Sequence, residues 1–444
     1  MALDVMITFI RNFSLCLSRL RLRGHVPGVA RRLLTFFASP KKVSKERRPQ
    51  DAALRVPDEV AARQPRLVLR SLASKQIICM PTSFGCLAVF AAAVLLSLNF
   101  FSVSVFAAPP RFAQVTSDKP LIFPRDFGAH PDFRTEWWYA TGWLDMPDRK
   151  PLGFQITFFR FASEHDPANP SRFAPKQLII AHAALSDPSV GKLLHDQKSA
   201  REGFGLAYAQ EGDTDVKLDD WRLVRDADGR YQVSVPARDF TLTLSLTPSQ
   251  APMLQGENGF SRKGPKPEQA SYYYSEPHLQ VAGTVTRDGK PIAVKGSAWL
   301  DHEWSTSVLD PDAAGWDWIG ANLDDGSALM AFQIRGKNGD KLWAHAALRD
   351  ASGRVTQFKP KDIEFSPSRS WRSPHTNASY PVETKLRTGD IKWQIIPLQD
   401  DQELDSRRST GAVYWEGAVS ITRDGKAAGR GYLEMTGYVK PLKL

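Results

Sequence analysis

One short pattern opens and closes two successive stretches of this chain, and that repetition constrains the fold more than any other feature. Trp137-Trp138-Tyr139, Leu144-Asp145 and Phe154-Gln155-Ile156 recur as Trp316-Asp317-Trp318, Leu323-Asp324 and Phe332-Gln333-Ile334. The offset is 179 for the first two groups and 178 for the third. The ends repeat as well. Thr286-Arg287-Asp288-Gly289-Lys290 leads to Trp299-Leu300-Asp301, and Thr422-Arg423-Asp424-Gly425-Lys426 leads to Tyr432-Leu433-Glu434. A period far above about 50 residues marks duplicated domains, not solenoid units. The chain therefore predicts two related modules in tandem.

The modules read as all-β. Phe240-Thr241-Leu242-Thr243-Leu244-Ser245-Leu246 alternates strictly, with apolar side chains on one face and hydroxyls on the other. Asp228-Gly229, Asp288-Gly289, Asp325-Gly326 and Asp424-Gly425 are hairpin dipeptides, since Gly tolerates the positive φ of tight turns. Beyond Ala107 no long stretch carries helical periodicity. The opening segments pack more aromatics (Trp137, Trp138, Tyr139, Trp143; Trp316, Trp318) than one sandwich face normally holds. A closed barrel accommodates them and leaves no free edge. The expected fold is a tandem pair of antiparallel β-barrels, residues 113–309 and 310–444, meeting between positions 305 and 315.

The formal net charge of +10 suggests an anionic partner, but it is unevenly placed. Residues 1–107 hold 16 Lys+Arg and 5 Asp+Glu, against 42 and 43 in the remainder. The body is close to neutral, which removes the electrostatic argument for nucleic acid. Residues 84–108 are uncharged and rich in Phe, Leu, Val and Ala, behind Arg66, Arg70 and Lys75. Basic residues before an apolar run and small residues after it mark export, with cleavage expected near Ala107. Uncleaved, the run is long enough to anchor the body outside the cytoplasm. The domain reading is an unstructured or mis-assigned extension over residues 1–80, a signal segment over 81–107, then the two barrels, in a periplasmic or secreted and monomeric protein. Cys16, Cys79 and Cys86 all precede the cut. The exported body then has neither disulfides nor thiolate chemistry.

Several longer motifs resemble a known family. They are Phe123-Pro124-Arg125-Asp126, Gly128-Ala129-His130, Arg134-Thr135-Glu136-Trp137-Trp138-Tyr139, Ser271-Tyr272-Tyr273-Tyr274-Ser275, Trp299-Leu300-Asp301-His302-Glu303-Trp304, Gly315-Trp316-Asp317-Trp318 and Tyr414-Trp415-Glu416-Gly417. Together they resemble the AttH-like predicted secreted hydrolases, relatives of the carotenoid 1,2-hydratases (hydroxyneurosporene synthases). The resemblance implies two lipocalin-like barrels, apolar and often polyene ligands, and an association with ABC-type export components.

Asp301-His302-Glu303-Trp304 is the leading candidate site. On a strand, Asp301 and Glu303 share one face while His302 and Trp304 share the other. The hydratases carry a similar Asp-His-x-Trp stretch, which implies roles for His302 and Trp304; a cluster that ties the barrels together by hydrogen bonds is the alternative. The hydratases also place an acid shortly afterwards, whereas Ala331-Phe332-Gln333-Ile334-Arg335 has none. Asp317, between two tryptophans, is the expected substitute, unless it pairs with Arg335. The candidate catalytic residues are therefore Asp301, His302 and Asp317. Candidate ligand contacts are Trp137, Tyr139, Tyr272, Tyr274, Trp304, Trp316 and Trp318. Tyr272 and Tyr274 face one way and Tyr273 the other. Glu136 reads as a buried ion pair or a turn cap. His130, His182, His278 and His345 show no metal spacing, so no metal is expected. No G-x-S-x-G elbow, phosphate loop or dinucleotide fingerprint appears, so neither a serine hydrolase nor a cofactor enzyme is indicated. Two readings remain: a binder of an apolar, lipid- or isoprenoid-like molecule, or an enzyme of hydratase, lyase or hydrolase type acting on an unsaturated or ester-bearing apolar substrate at the junction of the barrels. Either predicts that Asp301, His302, Trp304, Asp317 and Trp318 gather near the junction of the barrels.

Overall fold

A computed structural model describes residues 112–442, apart from positions 149, 164–168 and 308. The expected extension over residues 1–80 and the export segment, with its cleavage point, lie outside the described residues. The first sheet contains β1 (Thr135–Asp145), β2 (Pro151–Ala162), β3 (Gln177–Ser186), β4 (Leu193–Arg201), β5 (Ala207–Ala209), β6 (Asp215–Leu218), β7 (Trp221–Arg225), β8 (Tyr231–Pro236), β9 (Phe240–Thr247), β10 (Met253–Leu254), β11 (Phe260–Arg262), β12 (Ala270–Arg287) and β13 (Lys290–Ser307). The second contains β14 (Ala313–Leu323), β15 (Ala328–Gly336), β16 (Lys341–Arg349), β17 (Val355–Phe358), β18 (Ile363–Arg372), β19 (Ser379–Thr388), β20 (Ile391–Pro397), β21 (Glu403–Ser406), β22 (Ala412–Arg423) and β23 (Lys426–Met435). Among the described residues the only helical elements are two 3-10 turns, Arg125–Phe127 and Pro360–Asp362.

Both sheets are antiparallel, and in each the closing strand of the module pairs back beside its opening strand, β13 on β1 and β23 on β14. In the first, the order is β4-β3-β2-β1-β13-β12-β9-β8-β7-β6-β5, with β10 and β11 added on β12. In the second it is β17-β16-β15-β14-β23-β22-β20-β19-β18, with β21 on β22. The first sheet curls until β4 approaches β6, where Lys198 reaches Asp219 at 3.1 Å. Each module is a lipocalin-like barrel, as the alternating segments require. Within β9, every second residue from Phe240 to Leu246 is buried. The long hairpins that close each barrel turn at Asp288-Gly289 and Asp424-Gly425, where φ is positive at both residues of each pair. That is the twist a two-residue hairpin loop needs.

Alternation along the strands produces three apolar layers. Trp138, Ala140 and Leu144 of β1, with Ala298 and Leu300 of β13, belong to the first barrel's core. Ile319, Ala321 and Leu323 of β14, with Leu433 and Met435 of β23, belong to the second. The intervening residues point the other way and meet. Tyr139, Trp143, Tyr273 and Trp299 pack directly against Trp318, Met330, Phe332 and Tyr432. The repeat explains this symmetry. Tyr139 stands opposite Asp301, and its counterpart Trp318 stands opposite Glu434. The same two-strand cell therefore occurs in both modules, and the two cells face each other.

Candidate functional site

A cavity of about 90 Å³, partly open to solvent, lies where these two cells meet. Its walls are aromatic: Trp137, Tyr139 and Phe159 from the first module, Trp316, Trp318 and Phe332 from the second. Into this apolar space project four acids, Asp301, Glu303, Glu416 and Glu434, with Lys263 as the one cation on the lining among the described residues. Strand parity brings them there. Asp301 and Glu303 are two apart on β13, and Glu416 of β22 is directly opposite Glu434 of β23.

Three of these acids hold their protons unusually tightly. Asp301 is pushed up to about 7 by burial, against hydrogen bonds that favour its carboxylate. Those bonds come from Ser275 (2.6 Å), Tyr273 (2.7 Å) and the Trp299 indole (2.6 Å). Glu434 rises to about 7, mainly through burial and further through the charges of Asp301 and Glu303, while Trp316 opposes the shift. Part of its surface remains accessible, and it lines the cavity. Glu416 is raised well above the carboxylate range by burial and by Glu434 across the ladder. Its Oε2 accepts the Tyr139 hydroxyl at 2.7 Å. Two carboxyls facing each other in a dry site cannot both ionise. The ammonium of Lys263 sits 2.9 Å from the Oε1 of Glu303.

The expected gathering of Asp301, His302, Trp304, Asp317 and Trp318 does not occur. Asp301 and Trp318 line the cavity, as do Trp137, Tyr139 and Trp316. His302, Trp304, Tyr272 and Tyr274 take the opposite parity and point into the mouth of the first barrel. There the His302 Nε2 meets Glu136 at 2.9 Å and its Nδ1 meets the Tyr274 hydroxyl at 3.1 Å. Trp138 stacks on His302 with ring centroids 4.5 Å apart, and Trp304 stacks on His130 at 3.7 Å. Asp317 points into the second barrel, where Arg335 (3.0 Å), Gln333 (2.7 Å) and the Tyr438 hydroxyl (3.0 Å) bind it. Burial raises Asp317 and the Arg335 charge opposes. In β14 the tryptophans and the aspartate alternate, so the residue between two cavity-facing indoles must face away.

The first-barrel cluster is closed in itself. Glu136 is fully buried and bound by Arg160 (2.6 Å), by the His130 ring (2.7 Å) and by His302. Burial would raise Glu136, but Arg160 and His130 outweigh it and hold the carboxyl well below its usual range. Burial brings His302 down to about 4, although Glu136 pulls the other way. His130, Glu136 and His302 place their ligand atoms within 4.8 Å of one another, a grouping that spacing along the chain did not reveal. Arg160 already balances the carboxylate, so the cluster needs no metal ion for charge neutrality. It locks the lead-in segment before β1 onto the barrel mouth, and Glu136 is the ion pair expected of it.

Three charged lining groups, Lys263, Glu416 and Glu434, were not among the sequence candidates, and Glu303 entered only as a member of the Asp301-His302-Glu303-Trp304 stretch. Glu434 carried a signal: in the closing repeat it occupies the place of Asp301. Glu416 lies in a motif noted only for its family likeness. Nothing local marks Lys263, which arrives from the loop after β11.

Comparison with known proteins gives a consistent picture. The AttH-like family matches over residues 114–438. The crystal structure of a candidate AttH protein from Nitrosomonas europaea is 67% identical, covers 74% of this chain and 100% of its own, and superposes with a TM-score of 0.70. Kievitone hydratase from Nectria haematococca is 13% identical over 73% of this chain and 95% of its own, with a TM-score of 0.56, a likeness of fold alone. No curated protein matches the chain.

Proposed function

This chain belongs to the AttH-like family, and from that premise we propose that it binds an uncharged, unsaturated apolar molecule between its barrels and catalyses proton-dependent addition or removal of water. The observation that carries this reading is the convergence of Asp301, Glu416 and Glu434 on one aromatic-walled cavity. A carboxyl held near neutrality is the group a general acid–base step requires, because it gives and takes back a proton at working pH. In its neutral form it delivers a proton to the substrate; once ionised it accepts one from water. The aromatic walls exclude bulk water and hold the apolar skeleton. Partly exposed Trp137, Phe159, Phe161 and Leu309 at the rim give such a molecule a path inward.

The same rim also favours the second reading, a carrier that holds an apolar molecule without altering it. Solvent-isotope incorporation separates the two. The purified protein is incubated with a panel of apolar alkenes and alcohols in ¹⁸O-labelled or deuterated water, and the products are weighed by mass spectrometry. Incorporation that disappears in Asp301→Asn and Glu434→Gln supports catalysis; an unaltered ligand bound in the cavity supports the carrier. The uncharged stretch at residues 84–108 behind basic residues favours action outside the cytoplasm, which N-terminal sequencing of the processed protein tests.

A further inference from the structure

Lys263 is the part of the cavity that a purely apolar ligand does not need. It is buried, and it follows β11 in the loop that leads to β12. Its Nζ lies 2.9 Å from Glu303 and donates to the Ser261 hydroxyl at 3.2 Å. An ammonium has three donors, so one is left for the cavity it lines. The same Nζ sits over one of the cavity's rings, 4.3 Å from the centre of Phe332, and over the buried ring of Tyr273 at 4.6 Å.

This arrangement bears on which intermediate the cavity can hold. Acid-catalysed hydration of an isolated alkene passes through a carbocation, which would look to the aromatic faces for support. Here one of those faces, Phe332, is already engaged by a cation, and that cation would repel a second positive charge. A negative charge developing on oxygen has the opposite fortune, because a fixed donor aimed at it in a water-poor site stabilises it strongly.

We propose that Lys263 is the oxygen-binding group of the site and that the substrate is an alkene conjugated to a carbonyl. This rests on the reading of the cavity as the working site. The carbonyl oxygen takes the free N–H of Lys263. Water then bonds through its oxygen to the β-carbon and gives its proton to an ionised cavity carboxylate. The alkene π pair shifts toward the carbonyl, whose own π pair moves onto oxygen as an enolate held by the ammonium. A protonated cavity carboxyl finally transfers its proton to the α-carbon and the carbonyl re-forms. The sum is one molecule of water added, with no oxidant or reductant.

The test uses a matched pair of probes, 4-(4-dimethylaminophenyl)-3-buten-2-one and the corresponding 4-dimethylamino-β-methylstyrene, which has the same alkene without the carbonyl. Binding is followed by titration and by the absorption band of the enone, which moves to longer wavelength when a cation polarises its oxygen. The intact protein should bind the enone with that shift and at least about tenfold more tightly than the styrene, as a hydrogen bond from a charged donor predicts. Lys263→Met should abolish the shift and the preference. Because that change strands Glu303, Lys263→Met combined with Glu303→Gln, which stays neutral overall, gives the same reading in a charge-balanced protein. Equal binding of both probes, no shift, or a shift that survives in the double variant overturns the role of Lys263 while leaving the cavity as a binding site. If neither probe binds, the reading of the cavity falls with it.

Discussion

Asp301 and His302 are neighbours in the chain and belong to different machines, so substituting each should have different consequences. His302 stands between Trp138 and Tyr274 and donates its Nε2 proton to the Glu136 carboxylate inside the first barrel. His302→Ala should open a void there and strip a partner from a buried carboxylate, costing about 2–4 kcal/mol. Thermal melts should show that loss, while activity or ligand binding per folded molecule stays unchanged. Asp301→Asn keeps the shape of the side chain but removes its proton, and turnover should fall by about 10²–10⁴-fold. The raised acids also leave a signature in stability. A carboxyl near 4 when unfolded and near 7 when folded binds more protons in the native state between those values. Its stabilising contribution is therefore complete below about pH 4 and is lost as pH rises through 7, by up to about 1.4 kcal/mol per pH unit per group. Glu276, also raised to about 7 inside the first barrel, adds the same trend. Only the difference between parent and variant isolates the cavity. In Asp301→Asn and Glu434→Gln, the decline of melting temperature between pH 4 and 7 should be shallower than in the parent.

At the scale of elements, β1 and β13 each serve two layers, one face closing a barrel and the other building the junction. β2 does the same where it crosses β22. A β-carbon placed on Gly153 would lie 2.4 Å from the Cβ of Ala418 and 3.1 Å from that of Ser186. The strands touch there because the first has no side chain. Gly153→Leu should wedge the barrels apart, at about 1–3 kcal/mol for overpacking. A lowered melting temperature with increased binding of a hydrophobic dye would show it; a variant as stable as the parent would mean that the sheets slide freely over each other. Gly320 plays a similar part within β14, where an added β-carbon would sit 2.6 Å from the ring of Trp318.

For the whole molecule, the junction is built from aromatic and aliphatic residues of both barrels, and each half covers the other's aromatic face. Trp299 and Trp318 contact across it edge-on at 6.3 Å, Trp143 donates to the Gly431 carbonyl at 2.9 Å, and Tyr139 binds Glu416. The halves should therefore unfold together. Calorimetry of the intact protein should give one transition, and residues 310–444 produced alone should aggregate or bind hydrophobic dye strongly through Trp316, Trp318 and Phe332. Two well-separated transitions in the intact chain would show independent barrels.

The repeat, the period-two alternation and the Asp-Gly turns were enough to specify two antiparallel β modules, because each is a local property of the chain. Parity alone also separated Asp301 and Glu303 from His302 and Trp304, and Tyr272 and Tyr274 from Tyr273. What no local pattern contains is the partner that each face meets. Asp317 looked like a catalytic acid because tryptophans flank it in sequence, yet the pleat that sends those indoles to the junction sends the carboxyl to Arg335 in the second core. Asp301 lies far along the chain from the Glu416–Glu434 hairpin pair, and Lys263 comes from a loop. They form one site only because curling each sheet into a barrel and pressing the duplicated faces together removes water from all of them at once. Burial is a property of that assembled junction, and burial is what raises the three acids.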